Sequence, residues 1–300
     1  MDQVGRGRSA YVDPVYGPNN PKAPKFVERE FIAYEKYNLF PQAKLHTQWP
    51  GEGPGKGQVG DPLFDQFQAM MEPDFKDRTL REELNRDAGI ALLDKIGPAL
   101  LMPHSQSGIY VWLMADARPA LVKGLLMIEA GTGLFYDTQL VGPPDWFKDG
   151  ELSKPWGLTR TRITYDPPLC ATPEARSRAS SCDEQIKLVR QDKADGPDLA
   201  RCWLPAEPAR QLPNLKGIPV LLLHAEASFA MPTAHCTAKF LTQSGVANDF
   251  VRLADLGIHG NGHFMMLEKN SLQVAGVIAD WLDKRVTPGE LKQGISAGSQ

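Results

Sequence analysis

Short apolar runs alternate with amphipathic helical segments along most of this chain, and this alternation limits the possible folds more than any other feature. Four runs carry it: Ala99–Met102, Val122–Ile128, Ile218–Leu223 and Phe250–Leu253. Strands that are buried on both faces have such unbroken apolar sequences. Helices between them cover the two faces of the sheet. The sequence therefore predicts an α/β fold with a mostly parallel sheet and helices on both faces.

The helical segments are recognised by apolar residues spaced three and four apart. One such pattern begins near Leu80 and stops at Gly97-Pro98, a strong helix-breaking pair. Ile109–Ala117 and a segment near Thr233–Ser244 are predicted as further helices. The last helix is the clearest, and its apolar face carries Val274, Val277, Ile278, Trp281 and Leu282. Asn270 and Ser271 are the candidates for its N-cap.

Residues 132–215 break this rhythm with tryptophans and tyrosines among many prolines, and with a polar segment near Glu174–Gln191 that is predicted as a helix. A chain of 300 residues is long enough for one large core and one insertion. We expect residues 1–300 to form a single domain in which residues 132–215 are an inserted lid, or cap, over a pocket.

Charge and composition exclude several classes of function. The net charge of −3 provides no basic surface for nucleic acid, and no apolar run approaches the roughly 18 residues of a membrane-spanning helix. Residues 1–20 lack the charged segment followed by an apolar segment that is typical of a signal peptide. The compartment stays open, with a cytoplasmic location expected if the chain starts at Met1, and so does the oligomeric state.

The four cysteines have no Cys-x-x-Cys spacing, so neither a metal nor a thioredoxin-type site is expected. Free, partly buried thiols are the preferred interpretation, and a Cys170–Cys182 bridge in an oxidising compartment is the alternative. No organic cofactor is expected, because Gly5-Arg6-Gly7 lacks the trailing glycine and the preceding strand of a dinucleotide loop.

Chemically useful side chains follow the predicted strands or precede a helix. Ser105, Glu129, Glu226 and His263 all occupy such positions. Ligands of parallel sheets bind where the carboxyl ends of the strands meet. The sequence therefore predicts one shared site at that edge.

Ser105 is the candidate nucleophile of this site. It stands between an apolar strand and a helix that begins near Gln106. A strand–Ser–helix turn presents the hydroxyl at the rim of the sheet and directs the next backbone N–H at a developing oxyanion. Gln106 N–H is therefore the predicted oxyanion donor.

A serine nucleophile needs a base, which here must be a histidine. His263 is favoured because it lies between the fourth strand and the last helix, which gives the chain order Ser…acid…His. His259 is the alternative base. His104 is expected to orient or pack beside the serine, His46 to lie at the surface, and His224 to be a satisfied core histidine.

A serine nucleophile and its histidine base also need a carboxylate that orients the histidine, and this carboxylate has two candidates. Glu129 ends the strand after the serine helix, and Glu226 follows the next strand. A carboxylate directly after an apolar strand is costly to bury without a partner. Sequence reasoning leaves both open.

Three separated motifs now resemble one subgroup of the α/β-hydrolases, which contains a bacterial secreted esterase and many fungal proteins. The motifs are Asp2–Ser9, His104–Gly108 and His259–His263 followed by Glu268–Asn270. The resemblance covers nearly the whole chain and implies the α/β-hydrolase fold. In this subgroup the acid can follow the strand after the nucleophile, which favours Glu129 over Glu226.

The chain departs from the subgroup at its start. In α/β-hydrolases the motif matched by Asp2–Ser9 is preceded by further strands and by an oxyanion loop, and these are expected to be missing, so the fold would be N-terminally shortened. The serine strand would then be an apolar edge strand, and one oxyanion donor would be lost. Either the start site of the protein is assigned too late, or the chain is a shortened relative of the subgroup.

The leading hypothesis is a carboxylester hydrolase that acts on a small ester-like substrate through Ser105, His263 and Glu129. One alternative is a non-catalytic α/β-hydrolase-like protein that binds a small molecule or partner under its lid. Another is a biosynthetic lyase or acyl-transfer step, which the resemblance permits because some fungal relatives belong to secondary metabolism.

Overall fold

The computed structural model describes residues 1–130, 133–169 and 185–286. Ten strands are present in these ranges: β1 (Asn19–Asn20), β2 (Asp74–Phe75), β3 (Ala99–Leu101), β4 (Val122–Ile128), β5 (Tyr136–Gly142), β6 (Trp146–Leu152), β7 (Leu188–Arg190), β8 (Trp203–Pro205), β9 (Val220–His224) and β10 (Asp249–Arg252). The α-helices are α1 (Asp13–Tyr16), α2 (Pro24–Val27), α3 (Pro62–Ala69), α4 (Arg78–Ile96), α5 (Gly108–Ala117), α6 (Met231–Gln243) and α7 (Ser271–Arg285).

A four-stranded parallel sheet in the order β10-β9-β4-β3 forms the centre of the fold. Leu125 and Met127 of β4 pack into one apolar cluster with α4, α5 and α6. Leu126 and Ile128 face the opposite side, in a cluster with Val274 and Trp281 of α7. Because successive side chains of a strand point to opposite faces, this division confirms the predicted α/β fold with helices on both sides of the sheet.

The four predicted core strands correspond to β3, β4, β9 and β10, and the predicted helices to α4, α5, α6 and α7. Asn270 does precede α7, but its side chain makes no cap hydrogen bond. Its amide exchanges two hydrogen bonds with Asn261 instead. The tertiary partner has therefore replaced the local capping interaction that the sequence predicts.

β3 is the outermost strand of this sheet in the described part of the chain, where it pairs with β4 alone. This is the edge position expected for the serine strand. An isolated bridge between His104 and Ile128 extends the β3–β4 pairing by one contact toward the serine.

The segment 132–215 contains two antiparallel pairs, β5 with β6 and β7 with β8. Several of its apolar side chains, including Phe135, Ile163 and Tyr165, belong to the same cluster as the sheet. β7 shows that the predicted helix near Glu174–Gln191 is wrong at its C-terminal end, because the β8 ladder imposes an extended backbone there. Residues 174–184 of that prediction, with Cys170 and Cys182, lie outside the described residues.

Cys202, just before β8, and Cys236 in α6 are joined by a disulfide. The expectation of free thiols is therefore wrong for this pair. The two cysteines are 34 residues apart, and only the packing of β8 against α6 makes them neighbours. Within the described residues, no helix combines the length and the apolar character that a membrane-spanning segment requires.

The disulfide is expected to stabilise the fold by restricting the unfolded chain. For a loop closed over 34 residues, the double variant Cys202→Ser/Cys236→Ser should lose about 3–4 kcal/mol of unfolding free energy. Urea unfolding of the oxidised protein and the variant measures this difference. Superimposable curves would contradict the prediction.

Candidate active site

Ser105 occupies a sharp turn between β3 and α5. Its φ of 55° lies in the left-handed region, which costs a non-glycine residue about 1–2 kcal/mol. Residues Ser105–Ser107 form a short 3-10 turn that leads into α5. His104 N–H donates to Ser107 Oγ at 3.0 Å, and Ser107 Oγ donates to His104 O at 2.8 Å. These two hydrogen bonds close the turn and hold the strained serine.

His263 lies between Ser105 and Glu129. Its Nε2 is 2.8 Å from Ser105 Oγ, and its Nδ1 is 3.1 Å from Glu129 Oε2. A neutral imidazole has one donor and one acceptor nitrogen. With Nδ1–H donating to the carboxylate, Nε2 is free to accept from the serine hydroxyl. The structure thus brings together the three residues favoured by the sequence.

Glu129 is fully buried at the end of β4 and also has a positive φ, 50°. Ala225 N–H donates to its Oε1 at 2.6 Å, and the Ser228 hydroxyl donates to its Oε2. His224 Nδ1 lies 3.7 Å from Oε1. Burial raises the pKa of Glu129, while His224, Ser228 and the Ala225 N–H act against that rise.

Aromatic rings surround His263, whose exposed fraction is 0%. The ring centroid of Phe229 is 4.4 Å from that of His263, Phe264 is at 5.2 Å and Phe31 at 5.9 Å. Burial lowers the pKa of His263. The imidazole is therefore neutral near pH 7 and can accept a proton.

His104 packs beside His263, as the sequence predicts. Its Nε2–H donates to the backbone oxygen of His263 at 2.8 Å, and the two ring centroids are 4.7 Å apart. Burial, together with the nearby His263, lowers the pKa of His104 to about 4. This neutral histidine fixes the backbone from which the His263 ring projects.

The alternative acid and base form a separate pair. Glu226 accepts from His259 Nδ1 at 3.0 Å and from Gly260 N–H at 2.9 Å. The His259 side chain is 62% exposed. Glu226 therefore contacts the start of the loop that carries His263. The carboxylate that contacts the His263 ring is that of Glu129.

Two further histidines differ from expectation. His46 was expected at the surface, but it is 5% exposed and lies between the carboxylates of Glu35 and Glu268. Those partners are remote in the sequence, so no local pattern indicates its burial. His224 is buried as expected, but its Nδ1 makes no hydrogen bond among the described residues and instead faces the Glu129 carboxylate at 3.7 Å.

Gln106, the predicted oxyanion residue, has a side chain that hydrogen-bonds to Asp74. Its Nε2 donates to Asp74 Oδ2 at 3.2 Å, and Asp74 also pairs with Arg81 and Arg6. The Asp2–Ser9 motif is thereby connected to the serine turn. Sequence reasoning missed Asp74, because nothing in its local pattern separates it from other surface acids. The oxyanion role of Gln106 N–H stays a prediction.

A possible metal-binding group among the described residues is formed by Cys202, His235 and Cys236. The two sulfurs are joined to each other in this structure, which removes the thiolates that a metal would need.

A cavity of about 240 Å³ borders the aromatic wall of His263. Phe229 belongs to both the cavity and this wall, and the cavity is also lined by Leu140 and by the polar residues Asp137, Thr138 and Thr233. A combination of apolar surface and a few polar groups is typical of small-molecule sites.

Comparison with known proteins gives one extended sequence relative. No family model matches the chain. A fungal protein named "Probable secreted lipase phiG", from Fungal sp. (strain ATCC 74256), is 40% identical over 286 residues. The matched region covers 95% of this chain and 71% of the relative.

Three solved structures show a weaker likeness. A bacterial esterase has a TM-score of 0.41 at 19% identity, and the match covers 85% of this chain and 58% of that esterase. Est1E from Butyrivibrio proteoclasticus, with bound ferulic acid, has a TM-score of 0.34 at 16% identity and coverages of 71% and 72%. A predicted CIB-like hydrolase from Thermoplasma acidophilum has a TM-score of 0.31 at 10% identity, with coverages of 74% and 76%.

The depressed pKa of His104 makes a testable contribution to acid stability. The unfolded chain takes up this proton below about pH 6.5, whereas the native protein does so only near its own pKa, so stability is lost as the pH falls. Between pH 7 and pH 5 the wild type should lose about 2 kcal/mol more than His104→Gln. Urea unfolding at both pH values measures this, with the exposed His259→Gln as control. Equal losses for wild type and His104→Gln would contradict it.

Proposed function

This chain belongs to the α/β-hydrolase superfamily, and from that membership we propose that it is a serine hydrolase that cleaves carboxylic esters. The observation that carries the proposal is the position of His263, with Nε2 2.8 Å from Ser105 Oγ and Nδ1 3.1 Å from Glu129 Oε2. A nucleophile, a base and an orienting acid in hydrogen-bond contact are what serine catalysis requires.

The reaction begins when Ser105 Oγ attacks the ester carbonyl carbon and its proton passes to His263 Nε2. The resulting imidazolium is stabilised by the buried Glu129 carboxylate through Nδ1–H. Gln106 N–H binds the oxyanion. The C–O bond then breaks, and the alcohol leaves with the proton from His263. Water, activated by the same histidine, hydrolyses the acyl-serine and restores the hydroxyl.

We expect substrates with an apolar acyl or alcohol group. Phe31, Phe229 and Phe264 surround His263, and Phe229 extends into the adjoining cavity. Such rings favour contact with hydrocarbon over contact with charged groups. In this proposal the segment 132–215 acts as the lid over that pocket. The fungal relative is named a lipase, which supports an apolar ester.

An oxidising compartment fits the Cys202–Cys236 disulfide, because such bonds persist outside the reducing cytosol. The name of the fungal relative describes that protein as secreted. We therefore propose that this chain matures along a secretory route.

The proposal predicts covalent labelling of Ser105 by a fluorophosphonate, with loss of the label in Ser105→Ala. Mass spectrometry of the labelled peptide identifies the site. A wild-type protein that remains unlabelled at Ser105 would reject the proposed function.

The two candidate acids can be separated by amide substitutions. Glu129→Gln removes the charge that stabilises the imidazolium and should lower kcat/KM for a p-nitrophenyl ester about 10³- to 10⁴-fold. Glu226→Gln is the matched control and should lose much less activity, because Glu226 meets the start of the His263 loop and not the His263 ring. The reverse order of effects would assign the role to Glu226.

A further inference from the structure

Glu268 is a buried carboxylate that holds the loop carrying His263. Its exposed fraction is 4%, and it accepts from Gly262 N–H at 2.9 and 3.0 Å and from Asn261 Nδ2 at 2.7 Å. Gly262 is bonded directly to His263, so these hydrogen bonds fix the backbone one residue before the imidazole.

The loop has little room to shift. A Cβ added at Gly262 would lie 1.6 Å from the Tyr34 hydroxyl oxygen, and that hydroxyl accepts from His263 N–H at 3.2 Å. On the other side, Asn261 O accepts from Ala227 N–H at 2.9 Å. Ala227 precedes Ser228, which donates to Glu129. Displacement of this loop would therefore alter the contact between His263 and Glu129.

His46 supplies the charge that a buried Glu268 needs. Its Nε2 is 2.8 Å from Glu268 Oε1, and its Nδ1 is 3.1 Å from Glu35 Oε2. Ionised carboxylates only accept hydrogen bonds, and a neutral imidazole donates only one. Two carboxylate partners are both satisfied when His46 is an imidazolium with two N–H donors.

The titratable groups that face His46 agree with this assignment. They are Glu35, Glu268 and Tyr34, whose ring centroid is 4.7 Å from that of His46. Burial by itself would lower the pKa of His46, but the hydrogen bonds to Glu268 and Glu35 outweigh it, and the pKa is raised. An uncompensated carboxylate at the Glu268 position would be strongly disfavoured.

We propose that His46 and Glu268 are positioning residues for His263: the His46 imidazolium neutralises Glu268, and Glu268 fixes Asn261 and Gly262 so that the His263 ring meets both Ser105 and Glu129. The catalytic consequence rests on the proposed function, whereas the positioning itself does not. The proposal makes His46, a residue near the N-terminus of the sequence, part of the support of the site, although His46 contacts none of the reacting atoms.

A matched control is available in Glu82, which is 1% exposed and also accepts from backbone N–H groups, those of Arg160 and Thr161. Its hydrogen bonds hold α4 to the segment 132–215 rather than the His263 loop. Glu82→Gln therefore removes a buried carboxylate of similar surroundings without disturbing the loop.

The test compares wild type, Glu268→Gln, His46→Gln and Glu82→Gln. Fluorophosphonate titration counts active serines, and kcat is expressed per active serine. Glu268→Gln and His46→Gln should lose about 10- to 100-fold in kcat with little change in KM, because a small displacement of a reacting group costs about that much. Glu82→Gln should keep the wild-type kcat per active serine, and any effect through the segment 132–215 should appear in KM instead. A merely structural role would reduce the number of active serines and leave kcat per serine unchanged, which would overturn the proposal.

A second readout needs no activity. In ¹⁵N-histidine NMR spectra of the wild type at pH 7, His46 should be protonated on both nitrogens, and the downfield proton on His263 Nδ1 should move in Glu268→Gln. A singly protonated His46 or an unmoved His263 proton would overturn the proposal, even if Ser105 proves unreactive. If Glu268→Gln does not fold, the milder variant Glu35→Gln provides the test. In Glu35→Gln, His46 should lose its second proton at a lower pH than in the wild type. An unchanged titration of His46 would overturn the proposal.

Discussion

The contact between Glu129 and His263 is the interaction on which the rest of the site depends. A carboxylate with no exposure to solvent is costly unless donors surround it. Its donors come from two places: the residues after β9, which supply Ala225 N–H and the Ser228 hydroxyl, and the loop before α7, which supplies the His263 ring. Satisfying one buried charge therefore fixes the relative positions of three segments that are far apart in the sequence.

Backbone strain at this edge of the sheet is held by tertiary pairing. Ser105 and Glu129 both have positive φ values although neither is glycine, and each follows a strand of the parallel sheet. Ile128 N–H donates to Pro103 O, and Glu129 N–H donates to Leu223 O. The ladder thus continues to Glu129 itself and, on the serine side, to Pro103 just before His104 and Ser105. Strain of this kind persists where the surroundings over-determine the conformation, which is common at functional sites.

Residues that precede the central sheet in the sequence support the loop that carries His263. Tyr34 and His46 lie before the first strand of the central sheet, yet their polar atoms reach the His263 loop, directly or through Glu268. The loop has no regular secondary structure of its own over residues 258–264. In our proposal its geometry is set by these buried polar contacts, so the N-terminal region is part of the supporting structure of the site.

The sequence by itself determined the strands and helices of the central sheet and its cover, because burial on both faces leaves an unbroken apolar run in Val122–Ile128 and burial on one face leaves a helical periodicity in α7. It also singled out Ser105 and His263, whose positions after a strand and before the last helix are local features. Position along the chain does not separate Glu129 from Glu226, since both follow strands, and only the tertiary structure shows that Glu129 meets the His263 ring whereas Glu226 meets His259. The same holds for the burial of His46, whose partner Glu268 is 222 residues away, and for the Cys202–Cys236 disulfide. Contacts between such distant residues depend on how whole helices, strands and loops pack against one another. The sequence around each residue does not reveal that arrangement.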